Sequence, residues 1–542
     1  MIQNARFFMK NFSNLGVMID CSRNAVMDIP GLKEYIDVLS KMGYTSIMLY
    51  TEDTYEVEGE PFFGYFRGRY GIEELRALDE YAKTKGIEMI PCIQTLAHLN
   101  AIFHWPAYRP LKDWDDILMA GNDRVYELIE HMFASLRKAF STDRIHLGMD
   151  EAYMIGLGHY REKFGIRERF TIMLEHLTKV CEIAEKYGFT TMLWNDMFNN
   201  LRKNSNMTPE QIKALTPKNV QLVYWDYYRQ QESEYTWRIK ENKEICDNVA
   251  FAGGAWTWHG ITPVNDFSIG ATKAAFSACI KEGVREAYMT LWGDDGGECS
   301  RFAVLPTLAW AAALAENENA TLDDVRELFH RATGENYDDF LSLDTPNKVG
   351  AEGLHCNNPA KYLVYADPFM GYTDFTVDEK YVPHFEATAK ALAEAKDRSP
   401  RYAHLFHTQQ TLCDLLTVKC DLGKLTRKAY SEGDKEALRR LAEVDYPLCI
   451  EKVNIYANTF YAQWMKENKP HGFDMQDIRF GGLKERLSRC AERLLAYVDG
   501  KVENIPELEE AILPVSSEEG RSRVINCWAY NATSNVISHN PF

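Results

Sequence analysis

Residues 144–196 read RIHLGMDEAYMIGLGHYREKFGIRERFTIMLEHLTKVCEIAEKYGFTTMLWND and hold one complete strand–helix–strand unit. Arg144–Gly148 and Thr190–Trp194 are apolar runs of strand length. Between them the apolar residues of Arg167–Tyr187 recur at helical spacing, and Gly188 stands where a helix closes on a left-handed residue. The unit repeats in both directions. Gly16–Asp20, Ser46–Tyr50, Glu88–Ile93, Val220–Trp225, Val249–Ala255 and Glu286–Trp292 read as further strands. Leu32–Met42, Ile72–Lys85, Arg124–Phe140 and Thr272–Lys281 read as helices, and Gly43 and Gly86 close two of them.

Eight strands alternating with helices admit a closed (β/α)8 barrel or a large doubly wound sheet. Polar and aromatic residues crowd the C-terminal ends of nearly all these runs: Arg23, Glu52–Asp53, His98, Asp150–Glu151, Trp194–Asp196, Tyr224–Asp226, Trp256 and Trp292–Asp294. A barrel gathers all eight ends at one mouth, whereas an open sheet gathers only those near its switch point. No strand is followed by GxGxxG or GxxxxGK[ST], which takes support from the nucleotide-binding forms of the open sheet. The expected fold is α/β, a (β/α)8 TIM barrel over residues 1–318. Beyond it helix formers dominate Thr321–Ala332, Pro383–Ala395, His404–Lys419, Lys435–Glu443 and Gly482–Val498. They predict a mainly α-helical C-terminal domain, residues 319–542, with an irregular tail over Ser516–Arg523 and Trp528–Phe542.

The 542 residues carry 61 Lys+Arg against 79 Asp+Glu, a net charge of −18. That balance disfavours nucleic-acid binding and docking on anionic membranes. No window approaches 18 uninterrupted apolar residues, so no membrane span is expected. The N-terminus lacks the apolar core and cleavage site of a signal peptide. Twelve scattered cysteines, without a CxxC pair, suit reduced thiols. A cytoplasmic protein is expected on these grounds, and the sequons at Asn11, Asn206, Asn319 and Asn531 carry no weight.

The chemistry concentrates in Arg144-Ile-His-Leu-Gly-Met-Asp-Glu-Ala152. Neighbours in a strand point to opposite faces, so Asp150 and Glu151 can serve one site only where the chain leaves the pleat. Gly148 upstream permits an unusual backbone angle. Consecutive carboxylates do not naturally flank a scissile bond at the roughly 5–5.5 Å or 6.5–9.5 Å of the two-carboxylate glycosidases. A division of labour fits better: one protonates a leaving oxygen, and the other steadies a group of the substrate.

This segment resembles the His-x-Gly-Gly-Asp-Glu signature of glycoside hydrolase family 20, the β-N-acetylhexosaminidases. Asp20-Cys-Ser-Arg23 is similar to the family's first-strand motif, Trp194-Asn-Asp-Met-Phe198 to its fifth, Tyr224-Trp-Asp226 to its sixth and Trp292-Gly-Asp294 to its eighth. The resemblance implies that Glu151 is the general acid/base and that Asp150 orients the 2-acetamido group. It implies that Tyr224 hydrogen-bonds the acetamido oxygen, that Arg23 grips O3 and O4, and that Asp226 and Asp294 accept from O4 and O6. Trp194, Trp256 and Trp292 would wall the sugar pocket, with Trp258 an equal candidate for Trp256, and His98 with Asp53 would orient Glu151. The sequence departs from the pattern at Met149, in place of the second glycine, at Asn24, and at Glu52-Asp53, where the family shows Asp-Asp. The helical C-terminal region resembles a bacterial subgroup of the family.

Each residue also has a plainer reading. Asp150 and Asp196 suit helix caps, His98 and His146 suit hydrogen-bonded barrel histidines, and Trp105, Trp114, Trp464 and Trp528 suit packing or rim positions. The expected function is an exo-acting retaining hydrolase of terminal β-linked GlcNAc or GalNAc, working through an oxazolinium. Alternatives are a barrel glycosidase pairing Glu151 with Asp226 or Asp294, and an inactive glycan-binding protein. No cofactor is expected, and a first-strand His-x-His for a metal is absent. A small oligosaccharide or glycoconjugate is the expected substrate. The helical region is expected either to cover the barrel or to pair two copies as a homodimer.

Overall fold

The computed structural model describes residues 11–513 apart from 204, 295, 350–357 and 372. The expected irregular tail, with Trp528 and the sequon at Asn531, lies outside the described residues. Eight strands pair in parallel and in sequence order, and the sheet closes into a barrel where the first meets the eighth. They are β1 (Asn14–Asp20), β2 (Ser46–Tyr50), β3 (Glu88–Cys92), β4 (Arg144–His146), β5 (Thr190–Trp194), β6 (Val220–Trp225), β7 (Val249–Gly254) and β8 (Glu286–Leu291). All eight strands lie where the sequence places them. Four end early, β3, β7 and β8 by one residue and β4 by two, as the chain leaves the ladder there to build the mouth.

Period-two alternation divides each strand between an inner and an outer core. Met18, Tyr50, Cys92, Met192, Trp194, Val223, Ala252 and Tyr288 fill the barrel's axis. Their strand neighbours, such as Val17, Leu193, Leu222 and Tyr224, face the surrounding helices. Strands buried on both faces are apolar throughout rather than alternating, which is how a parallel sheet reads in sequence. The helices between strands start and stop as their caps require. Asp28 accepts from Gly31 N at the head of Ile29–Met42, and left-handed Gly43 closes it. Gly86 and Gly188 take the same conformation after Ile72–Thr84 and Arg169–Lys186.

After β8 the described residues form helices and no strand. The longest are Tyr381–Arg398, Ala403–Lys419, Tyr446–Glu467 and Asp474–Val498. They dock beside the ends of β1 and β8. Met27 bridges Asn468, and Lys469 N donates to Val26 O at 2.8 Å. Buried Glu298, four residues beyond Asp294, pairs with Lys361 and Arg479, each at 2.6 Å. No helix among the described residues is long and apolar enough to cross a membrane.

Candidate active site

At the C-terminal mouth of the barrel a cleft of about 500 Å³ is lined by Arg23, Tyr50, His98, Asp150, Glu151, Trp225, Tyr227, Tyr228, Trp258, Trp292 and Asp294. Six of the eleven residues singled out from the sequence meet here: Arg23, His98, Asp150, Glu151, Trp292 and Asp294.

The exit of β4 makes the two carboxylates neighbours in one cleft. Gly148, Met149 and Glu151 all have left-handed φ, at 72°, 66° and 53°. A Cβ on Gly148 would lie 2.2 Å from Gln94 Oε1 and 2.6 Å from Ile93 O, so only glycine fits. Met149 takes the conformation that a second glycine would hold, and Gln94 Oε1 fixes it by accepting from its N–H at 3.1 Å. The Glu151 N–H donates to Asp196 Oδ2 at 2.9 Å. Asp196 is therefore not a helix cap: it begins the helix Asp196–Arg202 and its carboxylate crosses to the Glu151 backbone.

The environments of the two carboxylates differ. Asp150 is buried, accepting from Gln94 Nε2 at 2.6 Å on one oxygen and facing His98 Nε2 at 3.2 Å on the other. Burial alone would raise its pKa, but the charge and hydrogen bond of His98, with Gln94, hold it below the usual range. Glu151 has a side chain 46% exposed to the cleft and stands 3.6 Å from the same His98 nitrogen. Its pKa is raised, by burial first and then by the charge of Asp150. Burial opposes a charge on His98, yet Asp150 and Glu52 outweigh it and push His98 up to about 10. Asp196 is pushed up to about 7 by burial and by Asp150.

The resemblance paired His98 with Asp53; the structure corrects this. Asp53 turns away to Arg67 at 3.2 Å. The partner of His98 is Asp116, whose Oδ2 accepts from the His98 N–H at 2.9 Å and lies 3.7 Å from Nδ1. Of the Glu52–Asp53 pair, Glu52 lies behind the cleft residues Arg23 and Tyr50. It takes left-handed φ, pairs with Arg23 at 3.4 Å and accepts from Tyr50 at 3.1 Å. Gln94 donates to Tyr50 at 2.8 Å, so a continuous polar chain runs from Arg23 to Asp150. Arg23 Nε is buried without a partner among the described residues.

The sixth-strand residues are likewise corrected. Tyr224 lies on the outer face of β6, against Phe251, and donates to Asp226 Oδ2 at 3.1 Å. Asp226 also accepts from Tyr228 N at 3.1 Å and faces Arg229 at 3.5 Å, and it does not line the cleft. Three tyrosines line the cleft, Tyr50, Tyr227 and Tyr228, and of these the Tyr227 oxygen accepts from Trp292 Nε1 at 2.9 Å. Trp194 points to the barrel axis but is only 1% exposed, a layer below Trp292 at 5.8 Å. Trp256 is buried behind Trp258, 4.8 Å away, and Trp258 forms the wall. His146 is a core histidine under Trp194, with a pKa lowered to about 3 by burial.

Strand parity could have found Tyr227 and Trp225. Trp194 pairs in register with Val223, so Val223 and Trp225 face inward and Tyr224 outward. Asp116 and Gln94 left no such signal, since they act from loops. Among the described residues no group of three or more His, Cys, Asp or Glu is arranged to hold a metal ion.

Comparison with known proteins gives two family matches. The model described as "Glycosyl hydrolase family 20, catalytic domain" matches residues 48–245, and the "Glycoside Hydrolase 20C C-terminal domain" matches residues 338–526. Hexosaminidase D of Homo sapiens is 23% identical over 207 residues, covering 36% of this chain and 41% of that protein. Hexosaminidase D of Bos taurus is 22% identical over 248 residues, covering 43% and 68%. A GH20 exo β-N-acetylglucosaminidase from Vibrio harveyi, solved in complex with N-acetylglucosamine, has a TM-score of 0.47 at 15% identity over 61% of this chain and 58% of that one. The GH20 β-N-acetylhexosaminidase of Streptomyces coelicolor A3(2) has 0.44 at 16% over 60% and 70%. The chain thus spans about two fifths of the human relative and under three fifths of the Vibrio enzyme.

Proposed function

The chain belongs to glycoside hydrolase family 20, and from that premise we propose that it removes terminal, non-reducing β-linked N-acetylhexosamine with retention of configuration. One observation carries the reading. Asp150 and Glu151, adjacent in sequence and in one cleft, have environments that push their proton affinities apart. Such a separation marks one group as the ionised stabiliser and the other as the proton donor.

Glu151 gives its proton to the glycosidic oxygen as the bond from that oxygen to C1 breaks. The acetamido oxygen of the same sugar attacks C1 and closes an oxazolinium, whose positive charge the Asp150 carboxylate stabilises. Water then attacks C1, gives a proton to the Glu151 carboxylate, and the ring reopens to the acetamide. Tyr227, rather than Tyr224, holds the acetamido oxygen: its own oxygen is occupied by the Trp292 N–H, which leaves the hydroxyl hydrogen to donate. Arg23 and Asp294 bind the outer hydroxyls, and the unpartnered Arg23 Nε supports that role. Trp258 and Trp292 offer faces to the sugar C–H bonds. Asp226, tied to Tyr224, sets the Trp225–Tyr228 turn instead of touching sugar.

The reading is tested by release of p-nitrophenol from β-GlcNAc, β-GalNAc and β-glucose derivatives. Turnover of the acetamido sugars with the glucoside more than about 10³-fold slower is expected, the scale of a lost intramolecular nucleophile. Comparable rates on all three would point instead to an enzymic carboxylate nucleophile.

A further inference from the structure

A second concavity opens beside the cleft, an open groove of about 1070 Å³ against about 500 Å³ for the cleft itself. One wall is the loop 61–69 after β2, and the other is residues 100–115 after β3. The groove is aromatic and exposed. Phe66 is 73% exposed, and Phe62 and Tyr65 are 42% and 39% exposed. Trp105 holds the two walls together, stacking on Phe62 at 5.4 Å and meeting Tyr65 edge-on at 5.3 Å. A contiguous exposed aromatic patch is seldom left on a surface without an occupant.

The loop is built to keep these rings out. Phe66 has φ 63°, a left-handed conformation that a bulky residue adopts only where its surroundings compel it. Gly64 packs so closely that a Cβ would meet Asp53 O at 2.1 Å. Arg67 ties the loop to Asp53 and to the Ser22 carbonyl, and Arg69 ties it to the carbonyls of Pro61 and Phe63. The rings are thus held in place before any ligand arrives, which lowers the ordering cost of binding.

The position identifies the occupant. Asn100 and Asp115 line the groove, and they sit two residues beyond His98 and one before Asp116. His98 and Asp116 are the pair that stands behind Glu151. The groove is thus lined by neighbours in the chain of the pair behind Glu151, on the side of the proton donor, where the leaving oxygen must lie. The opposite rim, after β6 and β7, carries the cleft walls Tyr227 and Trp258. We propose that this groove binds the leaving-group portion of the substrate, two or more pyranose rings that stack on Phe66 and Trp105 while their hydroxyls meet Arg67, Lys112 and Asp115. The inference rests on the hexosaminidase reading and extends it from the terminal sugar to the chain behind it.

The test compares kcat/KM on the β-1,4-linked GlcNAc dimer and tetramer for wild type, Phe66→Ala and Trp105→Ala, with p-nitrophenyl β-GlcNAc as the control for an intact cleft. Wild type is expected to favour the tetramer. Each variant should lower the tetramer-to-dimer ratio about five- to tenfold, the scale of one lost ring contact, and hold the aryl substrate within about twofold. A flat chain-length dependence in wild type, or equal losses on all substrates, overturns the groove while leaving the function standing. An unchanged ratio, with the variants instead abolishing concentration-dependent dimerisation, gives the patch to a second copy of the chain. No turnover of any substrate by wild type overturns both readings together.

Discussion

His98 forms ion pairs with both carboxylates, and its position sets how the site responds to pH. Its pKa rises on folding from the ordinary value of about 6.5 to about 10. A raised pKa contributes stability that is complete below the unfolded value and is lost as the pH climbs through the folded one. The thermal midpoint of wild type should therefore exceed that of His98→Gln most near pH 6, and the gap should close as the pH approaches 10. A gap that widens with pH contradicts the assignment. The tyrosines give a second expectation at this scale. Tyr227→Phe removes the hydroxyl facing the cleft and should lower kcat about 10²-fold, the scale of one lost transition-state donor. Tyr224→Phe should leave kcat within about threefold and cost about 1–2 kcal/mol in urea unfolding, since its hydrogen bond to Asp226 lies outside the cleft. These residues also mark what the sequence discloses. Arg23, Asp150, Glu151 and Trp292 follow strand ends, and the fold alone brings such positions together. Tyr224 and Tyr227 differ by the parity of a strand and one turn, which a motif match does not weigh. The partnership of His98 with Asp116 spans 18 residues holding two short helical turns and has no periodic trace.

The element that decides the site is the end of β4. Its ladder stops at His146, and three left-handed residues among the next five carry Asp150 and Glu151 into one cleft. Strain of this kind persists where the surroundings enforce it, and here Gln94 and Asp196 hold the backbone from either side. Gly148→Ala should destabilise the protein by about 2–4 kcal/mol, from left-handed strain and from the contact with Gln94. It should also lower kcat more than it changes KM, because Gln94 is displaced from Asp150. A variant of unchanged stability and activity would mean that the turn is not set by Gly148. Elements of this barrel are legible because most strands are largely apolar runs separated from the next by a helix. Their ends are less so, because β4 and β8 break off where function, rather than pairing, dictates the path.

For the whole molecule, the helices after β8 bear on the mouth of the barrel. Glu298 lies on the stretch that leaves β8 through Trp292 and Asp294, and it is held from the helical side by Lys361 and Arg479. All three side chains are at most 8% exposed. Removing one member of a buried ionic group leaves uncompensated charge, so Glu298→Gln should cost about 3–5 kcal/mol by chemical denaturation. The helical composition of this region is plain in the sequence, but its grip on the β8 exit is not, since the three charges are separated by 63 and 118 residues. We propose the division near residue 318 as one of composition: the two parts share buried charges and main-chain hydrogen bonds.

The central claim, that Asp150 and Glu151 divide charge stabilisation from proton donation, is tested most directly by two variants and two leaving groups. Initial rates of wild type, Asp150→Asn and Glu151→Gln would be measured on the p-nitrophenyl and 2,4-dinitrophenyl β-GlcNAc substrates. The more acidic dinitrophenol needs no proton to depart. Glu151→Gln is therefore expected to lose about 10²–10⁴-fold on the first substrate and to recover much of that loss on the second. Asp150→Asn should lose comparably on both. Recovery by Asp150→Asn, or none by Glu151→Gln, would contradict the division of roles.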